Sequence, residues 1–193
     1  MNAAELIHAV KDRFPQSVRA AHTFRGDATV IVAPESLLDV ARALQDDPAF
    51  KMNFLMDLTV VDFSSYGAAL PQAFFAHSGV RVTPSPEIPD EHPWPGRPGP
   101  ERFVVVYHFY SLSLKHRIRI QVPADDPDPQ VDSVTPLWAS ANWLEREAWD
   151  MFGVRFNGHP DLRRLLMYQS FVGHPLRKDY PVNKRQPLIG PLN

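Results

Sequence analysis

The sequence predicts an α+β fold: a mixed or antiparallel sheet with packed helices, followed by a further helix and a long extended C-terminal arm. Three observations carry this. Residues 115–122 alternate apolar and polar side chains, three segments repeat apolar residues at helical spacing, and regular periodicity stops after Gly153 while prolines continue. A chain of 193 residues, 44% hydrophobic and 22% charged, matches one ordinary domain with an extension and excludes a disordered or rod-like protein.

Leu6, Ile7, Val10 and Phe14 recur at helical spacing, and Pro15 blocks continuation, which gives a first helix. Residues 18–24 and 28–33 read as two short strands around Arg25-Gly26-Asp27, a turn with hairpin chemistry. Pro34 opens a second helix, where its missing N–H costs nothing, and Leu37, Leu38, Ala41 and Leu44 form the apolar stripe. Residues 54–63 read as a buried strand with Asp57 and Asp62 as polar exceptions. Residues 102–110 and 115–122 read as an antiparallel pair, since His116, Ile118, Ile120 and Val122 alternate with Arg117, Arg119 and Gln121. Between them and the preceding strand, the loop 83–101 carries seven prolines and reads as an extended insertion. A helical pattern resumes over 136–152, with Trp138, Ala141, Leu144, Ala148 and Met151 on one face, Arg146 and Asp150 spaced to pair, and Gly153 placed to end it. The expected organisation is an α+β domain over 1–130, a helical segment over 131–153, and an arm over 154–193.

That arm is too apolar and aromatic for a free linker, so it is expected to lie along a surface and to become ordered on assembly. Charge is unevenly shared. Residues 155–185 hold seven basic residues (Arg155, Arg163, Arg164, Arg177, Lys178, Lys184, Arg185) and two acids (Asp161, Asp179), a balance of +5, while the remainder carries 13 basic and 20 acidic residues, or −7. An acidic protein surface or the chain's own body is expected to take the arm. It lacks the dense basic run or aromatic spacing of an RNA reader, so no nucleic acid is expected. No stretch reaches the roughly 18 to 20 apolar residues of a membrane span, and the N-terminus lacks the basic-then-apolar order of a secretory signal. With no cysteine, the chain forms no disulfide and holds neither a thiolate-ligated iron–sulfur cluster nor a Cys-type zinc.

The arm contains a near repeat, Gly158-His159-Pro160-Asp161-Leu162-Arg163 and Gly173-His174-Pro175-Leu176-Arg177. In each copy glycine permits a sharp turn, proline stiffens the exit, and leucine followed by arginine offers a plug and a charge. Docking is the chemistry such a device suits. His159 and His174, with Asp161, make an incomplete metal set, which a stand-alone hydrolase would need to complete. Glu145, Glu147 and Asp150 form either an acid/base set or structural ion pairs with Arg146, Arg163 or Arg164; Glu147 and Asp150 share a side of the helix and Glu145 points elsewhere. No glycine-rich phosphate loop and no nucleophile context is present.

Three runs carry a specific resemblance: Leu144-Glu-Arg-Glu-Ala-Trp-Asp-Met-Phe-Gly-Val154, Phe156-Asn-Gly-His-Pro-Asp-Leu-Arg-Arg-Leu-Leu166, and Gly173-His-Pro-Leu-Arg-Lys-Asp-Tyr-Pro181. In order, type and spacing the chain resembles the 30-kilodalton subunit of respiratory complex I, the C subunit of bacterial NADH-quinone oxidoreductase. Two departures are Met167 to Phe171, where the family commonly has an acidic residue, and the longer proline-rich loop. The resemblance implies a non-catalytic, cofactor-free structural and assembly subunit in the peripheral arm of a proton-translocating complex. By the same resemblance, NADH, FMN, iron–sulfur clusters and quinone belong to partner subunits. The implied partners are the quinone-site subunit, the terminal iron–sulfur subunit and other peripheral-arm subunits. The implied place is the cytoplasmic face of the bacterial inner membrane, held there only through the complex and unfused to the quinone-site subunit. The corresponding subunit of a membrane-bound hydrogenase or another quinone-reducing complex is the alternative. Residues implied at the interface or in the motif are Glu145, Arg146, Glu147, Asp150, Phe152, Gly153, Gly158, His159, Pro160, Asp161, Leu162, Arg163, Arg164, Gly173, His174, Pro175, Leu176, Arg177, Lys178, Asp179, Tyr180 and Pro181.

Overall fold

The computed structural model describes residues 1–64, 100–184 and 186. Helix α1 (Ala3–Arg13) starts on a capping box in which Asn2 and Glu5 satisfy each other's backbone donors, and it buries Leu6 and Val10. Strands β1 (Val18–Phe24) and β2 (Asp27–Val32) form the expected hairpin. Its turn is Arg25-Gly26, both at positive φ (50° and 84°), the backbone that a two-residue turn of matching twist requires.

Pro34 begins a short 3₁₀ turn, Pro34–Ser36, before α2 (Leu37–Asp46). Leu37, Val40, Ala41 and Leu44 are buried there, so Val40 takes the central place that the expected stripe gave to the half-buried Leu38. Strand β3 (Phe54–Asp62) pairs antiparallel with β4 (Phe103–Tyr110), which pairs antiparallel with β5 (Arg117–Ala124). β5 then runs parallel to β2, giving the order β1-β2-β5-β4-β3 in a mixed sheet. The proline-rich loop 83–101 lies outside the described residues apart from its last two positions.

Two expectations need correction, and one element was not expected. β3 is not buried throughout: it is an edge strand with Leu55, Leu58, Val60 and Asp62 buried and Phe54, Met56 and Val61 exposed. Its apolar run hides a period of two, because Phe, Met and Val stand on the solvent side as well. The third helix, α3 (Ala141–Phe152), starts later than the apolar pattern suggests. The amides of Leu137 and Trp138 both return to the Val134 carbonyl, closing a turn, and Trp138 is held in the core by its indole N–H on the Met52 carbonyl at 3.1 Å. Finally, a two-stranded parallel sheet, β6 (Gln130–Asp132) with β7 (Arg155–Asn157), brackets α3. Each strand has three residues, too few for a period to show.

One core cluster unites these parts. It joins Leu6, Val10, Leu37, Val40 and Leu44 of the first two helices to Val30, Ile120, Val105, Tyr107 and Leu58 of the sheet, and to Ala148, Val131 and Phe156 around α3. Phe103, Tyr107 and Phe109 are fully buried large side chains on β4, and burying such a ring contributes about 1.5 to 3 kcal/mol. The sheet is thus the floor on which α3 is set. Among the described residues no helix is long and apolar enough to cross a membrane.

Candidate functional site

Helix α3 ends at Gly153, whose φ of 76° is the left-handed cap conformation and whose N–H returns to the Trp149 carbonyl at 2.8 Å. After β7 the chain turns at Gly158 and folds back along α3, so the arm lies on the chain's own body.

Asp150 organises the return. Its side chain is fully buried and accepts hydrogen bonds from Arg164 Nη1 (2.6 Å) and from three consecutive amides, Leu165, Leu166 and Met167, at 3.0, 2.8 and 2.8 Å. Burial pushes this carboxyl up, but the amides and the guanidinium outweigh it and hold it below the ordinary carboxylate range. Arg164 extends the grip by donating through Nη2 to the carbonyls of Phe171 and Gly173, with its guanidinium over the Trp149 and Phe171 rings. The expected Arg146–Asp150 pair does not form. Arg146 instead donates to the carbonyls of Arg163 and Arg164 and lies over Trp143, so two arginines clamp the same stretch of arm from different positions.

The second Gly-His-Pro-Leu-Arg caps the helix. A helix leaves its last carbonyls without internal partners, and here those of Asp150, Met151 and Phe152 accept from His174 Nδ1 (3.0 Å), the Leu176 amide (3.0 Å) and Arg177 Nε (2.5 Å). The Arg177 charge also faces the negative end of the helix dipole. Burial lowers the His174 pKa, consistent with a neutral ring that donates from Nδ1. Gly153 is required twice over, by its φ and because a Cβ there would lie 2.6 Å from the His174 ring and 2.8 Å from Arg177 Nη2. At Gly173, with φ 101°, a Cβ would lie 2.9 Å from the Tyr180 ring, which itself stacks on Phe171.

A third anchor reaches back to the sheet. Asp62, buried at the end of β3, accepts from Arg102 Nε (3.1 Å) and Nη2 (2.9 Å), and from the amides of Ser64 and Lys178 (2.9 Å each). Burial raises this carboxyl and those donors pull it well below the ordinary range. Arg102 also pairs with Asp126 and with Asp179 of the arm, and Arg177 lies over the Phe103 ring.

The first Gly-His-Pro serves the other half of α3. His159 Nδ1 accepts from the Asp161 amide (3.0 Å), which leaves Nε2 to donate to the Asn142 carbonyl (3.2 Å). Close by, the fully buried Glu145 accepts from Ser133 Oγ (2.6 Å), the Val134 amide (2.8 Å) and Thr135 Oγ1 (3.2 Å). Burial outweighs these neutral donors and pushes its pKa up to about 7. Of the three helix acids, Asp150 is therefore the one that takes an arginine; Glu147 is exposed and does not share the environment of Asp150. Asp161 and Arg163 form an exposed pair at 2.9 Å, Leu162 packs against the core, and Pro160, Lys178 and Pro181 face solvent. Among the described residues there is no group of three or more His, Cys, Asp or Glu arranged to hold a metal, and both His159 nitrogens are occupied by backbone groups.

Sequence reasoning missed the Asp62–Arg102–Asp126 anchor. Its one available signal was an acid inside an apolar strand, since Asp62 had to find a cation or become costly.

Residues 30–186 match the model of the family "Respiratory-chain NADH dehydrogenase, 30 Kd subunit". The C subunit of NADH-quinone oxidoreductase from Coxiella burnetii (strain Dugway 5J108-111) is 41% identical over 183 residues, covering 92% of this chain and 77% of the relative. Its counterpart in Citrifermentans bemidjiense is 39% identical, covering 95% of this chain and 94% of the relative. A solved structure of Nqo5, as its trypsin-resistant fragment (1-134), superposes with a TM-score of 0.58 at 27% identity, covering 82% of this chain and 98% of the fragment. A chain of the archaeal membrane-bound sulfane sulfur reductase shares the fold alone, with a TM-score of 0.64 at 16% identity over 93% of this chain and 86% of that one. On the span and identity of these matches, the chain belongs to the family of the 30-kilodalton subunit of respiratory-chain NADH dehydrogenase, whose bacterial members are the C subunits of NADH-quinone oxidoreductase.

Proposed function

We propose that this chain is a non-catalytic, cofactor-free structural and assembly subunit of the peripheral arm of a proton-translocating NADH:quinone oxidoreductase. The whole complex carries electrons from NADH to quinone; this subunit holds neighbours in place. The observation that carries the reading is how the motif's chemistry is used: Asp150, Arg164, His174, Arg177 and Glu145 all bond to the chain's own backbone or side chains. Groups so committed brace a structure rather than turn over a substrate. Residues 154–193 then act as a docking arm, already shaped over its described part. Leu166 (57% exposed), Val172 (63%) and Leu176 (50%) are exposed along it, as is Lys178, a composition fit for another protein. The proposed neighbours are the quinone-site subunit and the terminal iron–sulfur subunit, on the cytoplasmic face of the inner membrane. NADH, FMN, iron–sulfur clusters and quinone reside in partner subunits.

Replacing Val172 and Leu176 by Asp tests this in cells that carry the full complex. Assembled enzyme and quinone reductase activity should fall together, while the circular dichroism of the purified full chain stays unchanged. Wild-type assembly with both substitutions in place would remove the docking role, and stoichiometric iron or flavin on the purified chain would remove the cofactor-free one. The fold is shared with the sulfane sulfur reductase chain, so identifying the co-purifying proteins decides between the NADH-linked complex and a related membrane-bound hydrogenase or other quinone-reducing complex.

A further inference from the structure

Among the described residues, Glu145 is the buried motif carboxyl that no cation bonds. All three of its hydrogen-bond donors are neutral: two hydroxyls and one amide. His159 Nε2 lies 4.0 Å from Oε2, but the ring cannot be the missing counter-charge in this arrangement. Its Nδ1 accepts from the Asp161 amide, which requires an unprotonated nitrogen, and its Nε2–H is directed to the Asn142 carbonyl.

The other described elements around the pocket do not supply a cation either. From β4 comes Tyr107, fully buried, with a hydroxyl that has no hydrogen-bond partner. From β6 comes Asp132, a like charge; both Asp132 and Glu145 act to keep the Tyr107 phenol protonated, after burial itself. β7 and β3, which pack against α3, contribute buried apolar side chains such as Phe156, Leu58 and Val60, and Asp62 of β3 is already neutralised by Arg102. On α3, Arg146 is committed to the arm carbonyls, and from the arm Arg164 is committed to Asp150. An ionised carboxylate placed here is a buried charge with no opposite charge, an arrangement that desolvation penalises until a proton binds.

We propose that the Glu145 pocket is a proton-binding site: with the proton on, Glu145 is a neutral acid bonded to Ser133, and losing it leaves a buried charge with no cation bonded to it, which loosens the joint between α3, the loop 133–135 and the His159 turn. The joint is continuous through hydrogen bonds. Ser133 N–H donates to the Asn157 carbonyl, the Thr135 amide donates to Ser133 Oγ, and the His159 turn closes on Phe156. The 2.6 Å separation between Glu145 Oε2 and Ser133 Oγ is that of a short O–H···O bond, which the pair keeps in both states: the serine donates to the ionised carboxylate, and the acid O–H donates to the serine oxygen once the proton is bound. The direction agrees with a carboxyl moved from the ordinary 4.5 to about 7. Loss of that proton would alter the internal charge of the joint that carries the arm.

Infrared spectroscopy of the full chain tests this through the carbonyl stretch of a protonated carboxylic acid. The stretch should persist near pH 6, disappear as pH rises through about 7, and be missing from Glu145→Gln. Ser133→Ala removes a bond that is stronger to the ionised carboxylate than to the neutral acid, so in that variant the midpoint should move upward. Should Glu145→Gln fail to fold, the wild-type and Ser133→Ala titrations decide alone. A wild-type chain with no acid band above pH 5, or a midpoint that Ser133→Ala leaves in place, overturns the proposal.

Discussion

Helix α3 carries two fully buried carboxyls five positions apart, and they are stabilised in opposite ways. Asp150 has an arginine and three amides, and stays ionised; Glu145 has only neutral donors, and favours its acid form. Similar depth therefore does not mean similar chemistry. What separates them is whether the arm delivers a cation: Arg164 reaches Asp150, while the first Gly-His-Pro brings near Glu145 a histidine whose two ring nitrogens are already bonded to backbone groups.

An amide substitution separates the two sites most sharply. Asp150→Asn leaves Arg164 buried without its counter-charge, and breaking such a pair from one side costs about 3 to 5 kcal/mol. Urea unfolding of the full chain should show this loss at neutral pH. Glu145→Gln keeps the shape of the neutral acid and should cost far less at pH 5.

The pH dependence sharpens the same contrast. Glu145 has a raised folded pKa, so the stability it contributes is fully present below the ordinary 4.5 and is lost as pH rises through about 7. The full difference is on the order of 3 kcal/mol. Asp150, whose pKa is depressed, gives the reverse: its contribution is present above the ordinary carboxylate value and is lost as pH falls. Unfolding free energies measured across pH should therefore decline relative to Glu145→Gln between about pH 4.5 and 7. A rise over that interval would assign Glu145 a lowered pKa instead.

Gly153→Ala probes the Asp150 end alone. The left-handed backbone costs a non-glycine residue roughly 1 to 2 kcal/mol, and the Cβ must also displace the His174 ring. Loss of stability should come with faster proteolysis of the arm, because the displaced ring caps the helix. Arg177→Lys is milder, on the order of 1 kcal/mol: lysine can still reach the Phe152 carbonyl but cannot lay a planar guanidinium over Phe103. Glu147→Gln, at an exposed position, should stay within about 0.5 kcal/mol.

Sheet, helices and the glycine that ends α3 were legible because each rests on a local signal: a period, a proline, or a cap. Even the family motif was legible as a motif. Its internal wiring was not. Arg146 and Asp150 stand at the spacing of a helix pair, yet the partner that wins comes from Arg164 on a segment with no period to place it. Similarly, Asp62 and Arg102 are far apart in sequence, and their meeting depends on the β3–β4 register and on the returning arm. The exposed face of β3 was misread for the opposite reason, since apolar side chains on both faces erase the alternation. The arm was expected to become ordered on assembly. In this structure it occupies carbonyls left open by its own helix, a need that follows from any helix end but whose occupant cannot be named from composition.

The most direct measurement is amide hydrogen exchange of Leu165, Leu166 and Met167 in the free full chain, because these three donors exist as a group only if Asp150 holds the arm. Fold-back onto α3 predicts slow exchange at all three in the wild type and a concerted loss of protection in Asp150→Asn, with β4 and β5 amides still slow. Exchange at the rate of an open chain in the wild type would show that the arm is held only by its partners.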